Sequence, residues 1–201
     1  AEVVAQCLSD CGVDYFGVAY VQEGIALRKA GITQPILVLH PQEPNLQSLI
    51  EYKLTPGLYS QRILEAFIDA LKQHETEMYP VHIKFNTGLN RLGFQPDETE
   101  RLLDLLEENK KWISLNGVYS HLAASDDLKE DSFTKAQLNK FDVIADTIRA
   151  VYPNTLFHVL NTSGVLNYPQ AQYNMVRTGI SLYGYGNTPE VDIQLKPIIT
   201  L

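Results

Sequence analysis

VHIKFNTGLNRLGFQPDETERLLDLLEENKKWISLNGVYSHL, residues 81–122, decides the fold because it holds a strand, a helix and a second strand in succession. Its two ends, VHIKFN (81–86) and LNGVYSHL (115–122), are short runs rich in β-branched and aromatic residues, bounded by turn formers. Between them Leu102, Leu105 and Leu106 recur at steps of three and four, the spacing of one helix face. Pro96 and Asp97 open that helix ahead of an acidic first turn. Short apolar strands alternating with helices specify a parallel sheet covered on both faces.

The same unit repeats in both directions. Further strands are expected at YFGVA (15–19), PILVLH (35–40), TPGLYS (55–60), LFHVLN (156–161) and NMVRTG (174–179). Helices are expected at 21–30, 45–52, 62–74, 97–109 and 132–152, with a short one after Thr162. Phe141, Ile144, Ala145 and Ile148 give the longest helix an apolar stripe, and Gly31 stops the helix that ends at Ala30. Seven strands preceded by a helix at 1–12 imply an α/β fold of the (β/α)8 TIM-barrel type, incomplete because strand one is missing. A doubly wound open sheet would need a glycine-rich phosphate loop after its first strand, and the sequence has none. After Gly179 the pattern changes: ISLYGYGNTPEVD (180–192) is turn-rich, and LKPIITL (195–201) reads as a strand. The expected organisation is therefore a partial barrel domain over 1–188 and the start of a β-rich domain over 189–201.

Bulk properties exclude some functions. A net charge of −8 opposes nucleic-acid binding, which needs a basic surface. No run of about 18 apolar residues spans a bilayer, and the opening AEVVAQCLSDCG (1–12) has no basic region of a secretory signal. Cys7 and Cys11 are expected to pack on a partly buried helix face, because one pair without a second is a poor metal site. A reducing, cytoplasmic setting and no metal follow as expectations.

In a (β/α)8 barrel the active site lies at the C-terminal ends of the strands. Lys84 stands there with Asn86 and, shortly after, Arg91; the next strand delivers Tyr119, Ser120 and His121. The one after ends in His158 and Asn161, Thr162, Ser163 and Gly164, and the last in Arg177, Thr178 and Gly179. Taken singly, each is a solvated side chain, an ion-pair partner or, for Thr162 and Ser163, a helix cap. Together on one rim they suit a ligand with an anionic group and a ring, the anion meeting hydroxyls and free N–H groups at a helix start.

Four segments, HIKFNTGLNRLGF (82–94), VYSHLAASDD (118–127), HVLNTSGVLNYP (158–169) and NMVRTGISLYG (174–184), resemble motifs of the alanine racemase family in order and spacing. The resemblance covers essentially the whole chain. It implies a homodimeric, pyridoxal 5′-phosphate (PLP) dependent racemase that interconverts L- and D-alanine with two bases and supplies D-alanine for peptidoglycan. It further implies that Arg177 hydrogen-bonds the pyridine nitrogen, and that His121 stacks on the ring and bonds that arginine. Asn161, Thr162, Gly179 and Ile180 match cofactor contacts, the last three to the phosphate. Arg91 matches the arginine that touches the ring hydroxyl and the substrate carboxylate. Lys84 matches a lysine that can be carbamylated to orient Arg91. Asn86 departs from the usual aspartate, so weaker anchoring of Arg91, or more of that work shifted onto carbamylated Lys84, is expected. By the same resemblance the Schiff-base lysine precedes Ala1 and the tyrosine base lies in a C-terminal β domain, so these 201 residues alone are expected to be inactive. A serine or broad-range racemase of the same fold, and a non-catalytic PLP-binding barrel, are the alternatives.

Overall fold

Six strands follow one another in sheet order as they do in the chain: β1 (Phe16–Val18), β2 (Ile36–Val38), β3 (Thr55–Leu58), β4 (Tyr79–Lys84), β5 (Ile113–Tyr119) and β6 (Leu156–His158). The pairs β1–β2, β2–β3, β3–β4 and β5–β6 are parallel. The helices are α1 (Glu2–Asp10), α2 (Val21–Lys29), α3 (Leu46–Glu51), α4 (Gln61–Gln73), α5 (Thr99–Glu108), α6 (Asp131–Val151), α7 (Thr162–Asn167) and α8 (Pro189–Asp192). A doubly wound sheet reverses its strand order at a switch point. An unbroken order with a helix after each strand is that of an incomplete TIM-type barrel. The computed structural model describes residues 1–186 and 188–198, and these fall into two units, Ala1–Lys84 with Glu100–Asn116, and Phe85–Thr99 with Gly117–Leu201. No helix among the described residues is long and apolar enough to cross a membrane.

In the first unit, local chemistry sets the element ends. Ser60 caps α4 by accepting from the Ile63 N–H, and Ile63, Leu64, Phe67, Ile68 and Leu71 form its buried face at helical spacing. The Glu23 carboxylate reaches back to the N–H groups of Ala19 and Tyr20 at 2.8 and 2.9 Å, satisfying donors at the start of α2. Near the end of α2, Arg28 donates from Nη1 to the carbonyls of Ile32 and Gln34, both at 2.7 Å. Its Nε reaches the Tyr52 carbonyl at 3.1 Å and its Nη2 the Lys53 carbonyl at 2.9 Å. One planar cation thus holds the chain after α2 and the chain after α3. Tyr79 works nearby: its hydroxyl lies 2.7 Å from the Leu49 carbonyl and 3.0 Å from that of Leu54, while its ring meets Phe67 edge-on.

In the second unit α6 buries Thr134, Gln137, Leu138, Phe141, Ile144, Ala145 and Ile148. The loop after β4 folds back so that Asn86 N–H donates to the Phe94 carbonyl at 2.8 Å. Gly93 permits this turn: its φ is +135°, and a Cβ there would sit 2.5 Å from the Asn86 nitrogen.

The structure corrects three expectations. The strand expected at 174–179 is absent. That segment instead runs beside β6, with Asn174 N–H donating to the Phe157 carbonyl at 3.1 Å and Arg177 N–H to the Leu160 carbonyl at 3.0 Å. Two such isolated bonds do not build a ladder. Cys7 and Cys11 are exposed, because the buried face of α1 passes through Ala5 and the half-buried Val4, Leu8 and Ser9. Of the strand expected at 195–201, residues 195–198 form no strand, and 199–201 lie outside the described residues.

Because Arg28 serves four carbonyls, Arg28→Ala is expected to cost about 2 kcal/mol of stability, the scale of hydrogen bonds to a charged group. Arg28→Lys, one donor centre in place of a fork, is expected to recover less than half of that. Urea unfolding midpoints at constant slope provide the measurement.

Candidate active site

The site is built on the ends of β5 and β6. Their register pairs Tyr119 with His158, so the two rings stand on neighbouring strands and stack, with centroids 5.0 Å apart and planes 4° apart. Both residues are buried. Arg177 closes over this pair, its guanidinium 5.4 Å from the Tyr119 ring centre.

The arginine's hydrogen bonds define it. Nη1 donates to the His158 ring at Nδ1 and to the His158 carbonyl at 3.2 Å. Nη2 donates to the carbonyls of Ser120 at 2.6 Å and Val159 at 3.3 Å. An arginine only donates, so His158 Nδ1 must be the acceptor and the ring's proton sits on Nε2. Among the described residues Nε–H is the donor of Arg177 without a partner. Burial lowers the Arg177 pKa to about 10, which still leaves the group cationic at neutral pH. Burial pushes the Tyr119 phenol upward, against the opposing charges of Arg177 and then Arg91.

Thr162 and Gly179 are brought together. Thr162 opens α7, and its hydroxyl oxygen accepts the Gly179 N–H at 3.0 Å. The hydroxyl proton then points away from that bond, available to a third group. A Cβ at Gly179 would meet nothing within 4 Å, so there is open space beside the pair. Ile180 follows, 54% exposed, at the start of a 3-10 turn. Asn161 caps α7: its Oδ1 accepts from Gly164 N–H at 2.9 Å and from the Ser125 hydroxyl at 2.8 Å.

The other expected residues lie at the end of β4 and on the loops after β4 and β5. Lys84 is the last residue of β4 and is 5% exposed. His121 is half-buried two residues beyond β5, directly after the Ser120 that accepts from Arg177. Arg91 is exposed, and among the described residues no carboxylate pairs with it. Asn86 folds this loop: Oδ1 accepts from Gly88 and Asn90 N–H at 3.2 and 2.9 Å, and Nδ2 donates to Asn90 Oδ1 and Gln95 Oε1 at 3.0 and 3.4 Å.

Sequence reasoning placed Tyr119 and His158 on the rim without giving them a role, and passed over Gln137. The signal for the first two was available, since the final residues of adjacent parallel strands become cross-strand neighbours. Gln137 gave none, being one polar position within a long helix.

The sequence profile of the family described as "Alanine racemase, N-terminal domain" matches residues 1–187. The alanine racemase of Thermodesulfovibrio yellowstonii is 36% identical over 183 residues, covering 91% of this chain and 48% of that protein. That of Treponema denticola is 37% identical, covering 98% of this chain and 53% of that protein. The serine/alanine racemase of Enterococcus gallinarum is 35% identical, covering the whole of this chain and 29% of that protein. Among solved structures, alanine racemase of Clostridium difficile superposes with a TM-score of 0.87 at 31% identity, covering 97% of this chain and 51% of that one. The chain thus spans about half the length of the curated alanine racemases it matches. It belongs to the alanine racemase family.

Proposed function

We propose that this chain forms the PLP-binding barrel part of an alanine racemase that interconverts L- and D-alanine. The observation that carries the reading is the state of Arg177, with both Nη groups bound to protein and Nε–H unpartnered among the described residues, on a rim shared with Thr162, Gly179 and open space. Bound there, PLP would withdraw electrons from the substrate Cα and make its proton removable.

Each residue has a defined task. Arg177 holds a donor toward the pyridine nitrogen and, as a guanidinium, gives up no proton to it at neutral pH. The ring then stays a restrained electron sink, which favours return of the Cα proton over competing reactions. Thr162 and the backbone at Gly179 and Ile180 hold the phosphate, with Asn161 keeping α7 in place. Arg91, exposed, would take the substrate carboxylate, and His121 would stack on the cofactor ring beside Arg177.

In the complete protein this barrel part is followed by a β-rich domain. The two protonating bases lie outside this chain, and two copies complete each other's sites. The product serves peptidoglycan precursor synthesis in the cytoplasm. The similarity to a serine/alanine racemase keeps serine as a second substrate. The complete, PLP-loaded gene product decides both points by chiral chromatography of L-alanine and L-serine reactions. Racemisation of alanine is the expected result, and the ratio of kcat/KM values ranks serine. No turnover of either amino acid would end the reading.

Two further outcomes follow from the site. Thr162→Val is expected to weaken PLP binding about tenfold, the loss of one useful hydrogen bond, and Thr162→Ser to restore it. Equilibrium dialysis against PLP reads this directly. Arg177→Lys keeps the charge and loses the planar fork, so kcat/KM for alanine is expected to fall about 100-fold through misplacement of the cofactor ring.

A further inference from the structure

Behind the rim lies a buried amide that the proposed mechanism does not use. Gln137 sits inside α6 and is almost fully buried. Its Oε1 accepts the Ala123 N–H at 2.9 Å. Its Nε2 donates to the His121 carbonyl at 3.2 Å and, in a longer contact of 3.4 Å, to the Thr87 hydroxyl. All these partners belong to the loops that carry Arg91 and His121.

The neighbourhood reinforces the attachment. Thr87 Oγ1 lies 2.9 Å from Ser120 Oγ, and Ser120 donates on to the Phe85 carbonyl at 2.9 Å, so the two loops are bonded to each other in front of the glutamine. Thr134, one turn earlier on α6, donates to the Ala124 carbonyl at 3.4 Å. Gly88 presses against the same side chain: a Cβ there would lie 3.1 Å from Gln137 Cγ, at a φ of +150° that side-chain-bearing residues avoid. A helix packed by Phe141, Ile144 and Ile148 is stiff, whereas loops of this length are not. Replacing one member of such a buried network leaves its partners unpaired, so the cost falls on the loops.

We propose that Gln137 is a positioning residue that clamps loops 86–91 and 120–125 to α6, fixing where Arg91 and His121 stand. The proposal rests on the reading that these two residues face substrate and cofactor. It acts through His121 and Arg91 and touches neither ligand itself.

The test uses the complete PLP-loaded protein and two variants. Gln137→Met keeps the length and apolar bulk and removes every hydrogen bond. Gln137→Glu keeps an acceptor for Ala123 N–H and loses the donor to the His121 carbonyl. Hydrogen exchange followed by mass spectrometry is expected to speed up about tenfold in 86–91 and 120–125 for the methionine variant, with a smaller increase for the glutamate variant. Protection in 138–150 and in β6 should not change. In steady-state kinetics KM for alanine should rise more than kcat falls, because Arg91 serves the carboxylate. Unchanged exchange in the two loops overturns the proposal, as does an increase spread evenly over α6 and β6. Loosened loops with unchanged KM and kcat in an active parent overturn it as well. A parent that racemises neither alanine nor serine strikes instead at the functional reading, which the exchange result does not test.

Discussion

Everything at the candidate site depends on a cation held by carbonyl oxygens. Arg177 has no carboxylate among its hydrogen-bond partners; its Nη groups face the carbonyls of Ser120, His158 and Val159 and one imidazole nitrogen. Those carbonyls belong to the ends of two adjacent strands, so the side chain is aligned by the sheet itself. A carboxylate partner would neutralise the charge and hold the proton more firmly. Carbonyl dipoles instead leave it partly desolvated, and the pKa falls to about 10. The group stays cationic at neutral pH, with its orientation fixed by geometry in place of a counter-ion.

That arrangement also sets the chemistry of its neighbours. His158 can only accept from Arg177, which fixes its tautomer. Its stack on Tyr119 comes from strand register alone, since Tyr119 and His158 are paired residues of β5 and β6. A shift of register by one residue would carry one ring to the opposite face of the sheet and remove the platform under the guanidinium. The site's electrostatics therefore rest on backbone pairing.

Much of this was legible in the sequence, and what was not has physical reasons. Strand and helix alternation is written in hydrophobic periodicity, and β1 to β6 lie where the apolar runs predict. The segment at 174–179 has strand composition too, but a ladder depends on a partner, which composition does not record. The burial expected for Cys7 and Cys11 failed for a similar reason: Val3, Val4, Ala5, Cys7 and Leu8 are all apolar, and only packing chooses which of them are covered. Thr162, Gly179 and Arg177 could be grouped on one rim because strand ends converge in this topology. The hydrogen-bond partners of Gln137 could not, since two loops far apart in the chain meet one helix side chain.

Asn86 shows how a motif departure is resolved by local structure. Reading the position as an aspartate replaced suggested a missing negative charge for Arg91. In the folded loop its main work is different. The side chain accepts two backbone N–H bonds, from Gly88 and Asn90, which shape the turn that carries Arg91. An aspartate would accept the same two bonds, so this function is kept. The amide adds what a carboxylate cannot, donated bonds to Asn90 Oδ1 and Gln95 Oε1. The substitution thus exchanges a charge for two neutral contacts within the turn. Arg91 is then carried by the shape of its loop, and among the described residues no carboxylate pairs with its guanidinium.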